Sequence, residues 1–101
     1  MDNVDLELKN NVIAVRGIVN FNNVILAWQK GITMIGAIEN IKVNLKGLLQ
    51  CDSSGLALFV EWVRTAKEQN KKILFENVPN FVQDISRVYG LDGVLPVSWE
   101  N

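Results

Sequence analysis

Nine residues, Gln50-Cys51-Asp52-Ser53-Ser54-Gly55-Leu56-Ala57-Leu58, restrict the fold of this chain more than any other stretch. They form a small polar knot between an apolar alternation at 41–45 and a long apolar pattern of helical period. Asp, Ser and Gly are the residues that a strand-to-helix turn requires. Asp52 or Ser53 can cap the free N–H groups of the following helix, and Gly55 admits close approach of another backbone. Ser53 and Ser54 then lie at the positive end of a helix, where a phosphate would also be stable.

Beyond the knot, Leu56, Phe59, Val60, Val63 and Ala66 share one side of a helical wheel, and Glu61, Arg64, Thr65 and Glu68 the other. This is an amphipathic helix, ending at Gln69-Asn70-Lys71. Val60 and Val63 are expected in the core. Leu58 and Trp62 fall on the flank of the core stripe, in a row with Ser54. Such a row either packs at the edge of the core or offers apolar area to a partner.

The N-terminal part alternates. Val4 to Lys9 reads as a strand with one buried face, Asn10-Asn11 as a tight turn, and Val12 to Val15 as the returning strand. Asn20-Phe21-Asn22-Asn23 then opens a helix with an Asn cap. That helix should break or bend near Gly31, since glycine costs a helix roughly 1 kcal/mol, and Trp28 is read first as a core residue and second as partner-facing. The 41–45 strand leads directly to the Asp52 turn. Ile73-Leu74-Phe75 is a short buried strand, and Asn80 a candidate cap for a last helix. Phe81, Ile85, Val88 and Tyr89 give that helix its apolar side, and Gly90 stops it. The apolar tail Leu91–Trp99 forms an edge strand or packs down. The resulting order indicates a single α/β domain over 1–101, with a mixed four- to five-stranded sheet and three or more helices.

Composition excludes several functions. The chain has no histidine and one cysteine, which removes the commonest general base and leaves no thiolate metal site. No GxxxxGK[ST] or GxGxxG loop is present, so neither catalysis, cofactor nor metal is expected. A net charge of −1 gives no basic field for nucleic acid. No apolar run is long enough for direct membrane insertion. The lone cysteine and the lack of a leader-like start indicate the cytoplasm.

The Asp52-Ser53-Ser54-Gly55-Leu56-Ala57-Leu58 motif, set between a strand and this helix, resembles the STAS domain family over nearly the whole chain. Trp28 and the ending Val88-Tyr89-Gly90-Leu91-Asp92-Gly93-Val94-Leu95-Pro96 look most similar to the family's MlaB-like branch, the STAS subunits of Mla phospholipid ABC transporters. The resemblance implies a non-enzymatic subunit that uses Asp52, Ser53, Ser54, Leu58 and Trp62 to bind the transporter's ATPase (MlaF-like). Through it the subunit would reach the membrane permease and remain peripheral to the inner membrane, supporting outer-membrane lipid asymmetry. MlaB-like proteins commonly carry Thr followed by Ala where this chain has Ser53-Ser54. There it is closer to the anti-sigma factor antagonists, whose resemblance implies phosphorylation at Ser53 and an anti-sigma kinase as partner.

Overall fold

The computed structural model describes residues 3–97. The elements run β1 (Val4–Lys9), β2 (Val12–Val19), α1 (Val24–Gly36), β3 (Asn40–Asn44), β4 (Leu48–Cys51), α2 (Ser53–Glu68), β5 (Lys72–Glu76) and α3 (Asn80–Val88). The five strands make one mixed sheet. β1 pairs antiparallel with β2, and Asn10 and Asn11 both take positive φ (52° and 66°) in the turn between them. Asparagine tolerates that conformation, and two such residues give the hairpin turn that matches strand twist. β2 is parallel to β3, and β3 to β5.

β2 runs four residues past the expected strand end, and its second half pairs with β4. Sequence reading takes 41–45 straight into the Asp52 turn and misses β4. The reason is a turn at 45–47, where Lys46 N–H donates to Asn44 Oδ1 (3.0 Å) and Leu48 N–H to Leu45 O (3.0 Å). Where Gly17 and Ile18 of β2 face Leu48 and Gln50, the pairing skips Leu49, which puts β4 out of phase, with Leu48 and Cys51 buried and Leu49 and Gln50 exposed. No period of two survives to be read.

Ile13, Val15, Val19, Ile41, Val43, Ile73 and Phe75 point to the helices and are buried. The opposite face carries exposed ion pairs, Arg16 with Asp5 (3.4 Å) and Glu7 (3.3 Å), and Lys42 with Glu76 (3.6 Å). Exposed pairs of this kind stabilise little; their effect is to keep that face in water.

α1 is one continuous helix, without the break expected at Gly31. It buries Ala27, Gly31 and Ile35, and a Cβ on Gly31 would lie 2.3 Å from the Trp62 ring. The glycine is there for helix-to-helix contact. Trp28, one residue beyond Ala27 and so about 100° around the helix, is exposed and does not belong to the core. Leu58 (2% exposed) and Trp62 (0%) do belong to it, because α1 lies alongside α2 and covers their flank. The wheel cannot show this second neighbour. Val63 is buried and Val60 half-buried.

α2 ends where Asn70 turns to positive φ and Lys71 N–H reaches back to Ala66 O (2.8 Å). α3 ends in the same way at Gly90, with Leu91 N–H on Ser86 O (2.7 Å). Both are glycine- or asparagine-type helix stops. The cap position of α3 is Pro79, not Asn80, which is already helical. Val82 and Ser86 are the buried residues of α3; Phe81 and Ile85 are half-buried, while Val88 and Tyr89 face water. The tail forms no strand among the described residues. It lies beside β5, where Phe75 N–H donates to Pro96 O (2.7 Å), and Leu95 packs into the core. The rest of the predicted tail, from 98 onward, lies outside the described residues.

Candidate functional site

Asp52 is the cap of α2. Its backbone is extended (φ −98°, ψ −169°), and its Oδ1 accepts the Ser54 N–H (2.9 Å) and the Ser54 hydroxyl. The Asp52 carbonyl takes Gly55 N–H (3.0 Å) and Leu56 N–H (3.4 Å). Of the two capping residues that the sequence allows, the aspartate does the capping and Ser53 is the first helical residue. Among the described residues the Ser53 hydroxyl has no hydrogen-bond partner, and the residue is exposed. Ser54 is thus a structural serine and Ser53 an available one.

Gly55 lets this turn sit on the sheet. A Cβ there would stand 2.7 Å from Cys51 Cβ and 3.3 Å from Val19 Cγ1. Burial, and then the neighbouring Asp52 charge, push the Cys51 thiol up to about 11. It is therefore a packed, unreactive thiol at neutral pH.

Burial by itself would raise the Asp52 carboxyl, but the bonds from the Ser54 hydroxyl and N–H, and from the Gly55 and Phe21 amides, hold it below its usual value. A carboxyl lowered on folding contributes stability above its unfolded value of 3.8 and loses it as pH falls through the folded value. We therefore expect Asp52→Asn, which can still cap but carries no charge, to be less stable than the wild type at about pH 7, with the gap closing below about pH 4. Denaturant melts across that range check it. A gap independent of pH would show that the carboxylate charge contributes nothing.

The loop before α1 reaches the same corner. Asn22 N–H donates to Asn20 Oδ1 (3.0 Å), and the Asn23 side chain ties Asn20 N–H (3.0 Å) to Ile18 O (2.8 Å). Asn23 occupies the cap position but makes no side-chain cap bond to the helix. The loop presents Phe21, which is 77% exposed. Ile25 (64%) and Trp28 (39%) continue the same side of α1, at the helical spacing of four and then three residues. Between this ridge and α2 runs a groove of about 340 Å³, lined by Val24, Ile25, Trp28, Ser54, Ala57, Leu58 and Glu61.

Asp52, Ser53 and Ser54 therefore stand together at one end of an apolar groove. Leu58 reaches the groove only from beneath, and Trp62 is sealed under α1, so neither offers the free side chain that the sequence reading gives them. The residues it misses are Phe21, Ile25 and Ala57, while Trp28, read first as core, is exposed. Their signal is present: Val24-Ile25-Leu26-Ala27-Trp28 is apolar around more of the helix than one buried stripe needs. A separate pocket of about 300 Å³ between α3 and the tail is lined by Arg87 and Asp92, which pair at 3.9 Å, and by Leu95. It contains none of the residues of the capped turn.

A mixed five-stranded sheet with three helices in this order is shared with known proteins. The family model described as Mlab, STAS domain, matches residues 3–96. The chain is a member of the MlaB-type STAS family. Among solved structures, a chain of the Acinetobacter MlaFEDB complex in an ATP-bound conformation is 26% identical, with a TM-score of 0.78, over 93% of this chain and 100% of that one. The unphosphorylated anti-sigma factor antagonist SpoIIAA is 21% identical (TM-score 0.69, 95% and 88% covered). The phosphorylated form of SpoIIAA, a Bacillus cell fate determinant, is 23% identical (0.67, 88% and 85%). At those identities SpoIIAA shares the fold. No curated protein sequence matches. STAS membership accounts for the mixed sheet and three helices.

Proposed function

We propose that this STAS domain is a non-enzymatic subunit that binds and stabilises the ATPase of an Mla-type phospholipid ABC transporter, docking through Asp52, Ser53 and Ser54. It would sit at the cytoplasmic side of the inner membrane, reach the permease only through the ATPase, and support outer-membrane lipid asymmetry. The observation that carries this is the full-length likeness to a chain of the MlaFEDB complex, read together with the family match. The geometry is compatible: an exposed serine at a helix start adjoins an apolar surface, which is what a protein partner needs. None of the described helices is long and apolar enough to cross a membrane.

The test is Ser53→Glu, assayed for folding and for co-purification with the ATPase encoded in the same genome. Because Asp52 provides the cap, a glutamate at the first helical position removes no capping bond and favours the helix end. The melt should shift by less than about 0.5 kcal/mol. ATPase binding should fall by roughly tenfold or more, through added bulk and charge beside Asp52. Normal folding with full binding would refute the docking surface.

A second reading has one observation in its favour. The Ser53 hydroxyl is exposed and unengaged, whereas the Ser54 hydroxyl is held by Asp52, as a phosphorylation switch at Ser53 would require. Transfer of phosphate from ATP to Ser53 by an anti-sigma kinase, with no ATPase binding, would make the chain an anti-sigma factor antagonist.

A further inference from the structure

We propose that Lys67, Lys71 and Lys72 form a binding site for a phosphate group, free or carried on a lipid headgroup, at the end of α2 remote from the Asp52 turn. The three lysines come together because α2 stops at Asn70, where φ is positive, and the chain enters β5 at Lys72. With Ile73 and Pro96 they line a hollow of about 190 Å³, and no carboxylate belongs to its wall. Lys67 lies about 20 Å along α2 from Ser53, so this site is separate from the proposed ATPase contact and stands or falls without it.

Lysines in a last helical turn ordinarily serve the carbonyls left open there. Here backbone amides already take them. Gln69 N–H donates to Thr65 O and Ala66 O (both 3.1 Å), Asn70 N–H to Lys67 O (3.0 Å) and Lys71 N–H to Ala66 O (2.8 Å). The ammonium groups of Lys67 and Lys72 have no partner among the described residues, where Lys42 is the one lysine in an ion pair. Glu68, next in sequence, acts instead on Arg64, one helical turn back. Lys71 is held differently: its Nζ donates to Ile35 O (2.8 Å) and Gly36 O (3.1 Å) at the end of α1. An ammonium has three N–H donors, so one stays open on a cation already fixed in place. Three like charges side by side repel one another, and a phosphate, which carries close to two negative charges at neutral pH, removes that repulsion. One anchored ammonium between two unengaged ones, against the apolar wall of Ile73 and Pro96, thus suits a phosphate read as a point charge.

The test titrates the full chain with inorganic phosphate, and with chloride at equal ionic strength, while backbone amide shifts are followed by NMR. The amides of residues 67–73 should shift saturably with phosphate and not with chloride. Lys67→Gln and Lys72→Gln change exposed side chains that hold nothing else. Their melts should be unchanged, while affinity falls roughly fivefold to tenfold in each. Lys46→Gln removes the same charge from an exposed site before β4; it is the control and should bind as the wild type does. Flotation with phosphatidylcholine vesicles, with and without phosphatidylglycerol, separates the two sources. Binding to the phosphatidylglycerol vesicles alone, lost in Lys67→Gln and Lys72→Gln, identifies a headgroup; phosphate binding without flotation identifies the free ion. The site is overturned by the absence of both a saturable shift and flotation, by full binding in both variants, or by an equal loss in Lys46→Gln.

Discussion

Truncating Trp62 to alanine destabilises the domain by about 3–5 kcal/mol, the range for removing a large aromatic from a core. Trp62 has no exposed surface; its ring lies 5.6 Å from that of Phe59, which in turn meets Phe75 at 5.7 Å. The ring thus continues an aromatic row from the sheet into the α1–α2 contact. Its Nε1–H is buried without an acceptor among the described residues, and an unmet donor costs about 1–3 kcal/mol. Trp62→Phe should therefore cost much less than Trp62→Ala, since it removes that donor together with part of the packing. Gly31→Ala tests the same contact from the other side. Helix propensity alone predicts a gain of about 1 kcal/mol. The new methyl would meet Trp62 at 2.3 Å, and overpacking of this kind costs about 1–3 kcal/mol. The net effect should be a loss, relieved when Trp62→Phe is combined with it. Denaturant melts of the four proteins decide it; a stabilising Gly31→Ala would contradict the packing described.

Val63→Asp is expected to remove a large part of the domain's stability. Val63 is 5% exposed and lies one turn from both Phe59 and Ala66 on the buried face of α2. A carboxylate there would have no partner, a cost of about 4 kcal/mol or more, against a total stability of roughly 5–10 kcal/mol for a domain of this size. Val60→Asp is the contrast. Val60 is half-buried, so its aspartate can turn toward water and should cost only about 1–2 kcal/mol. Equal midpoints for the two variants would contradict the orientation of α2.

What could be read from the sequence was local chemistry. The Asn10-Asn11 turn, the Asp52 cap, the Gly55 approach and the stop at Gly90 each follow from what one or two side chains can do with a nearby backbone. The errors share one cause, the second neighbour. Trp28 and Trp62 exchange roles because a wheel gives the angle between two residues but not which neighbouring element fills it. Gly31 reads as a helix breaker until Trp62 is known to press on it. β4 disappears because its alternation is broken at Leu49, which its pairing with β2 skips. The site divides in the same way: the capped serines are visible in one motif, whereas the groove beside them exists only once two distant helices are brought together.

The tail alongside β5 has a bearing on how the sheet edge is guarded against pairing with another chain. A five-stranded sheet that is not closed has unpaired edges, and each can recruit another chain by backbone pairing. On one side β1 carries the exposed charges of Asp5, Glu7 and Lys9, which repel an incoming strand of like pattern. β5 has no such defence, since its central residues Ile73, Leu74 and Phe75 are all apolar and buried. There the chain covers itself, with the Pro96 carbonyl occupying the Phe75 amide and proline providing no amide to extend the ladder. Residues 91–97, which take no regular structure, thus act as the stopper against runaway sheet growth.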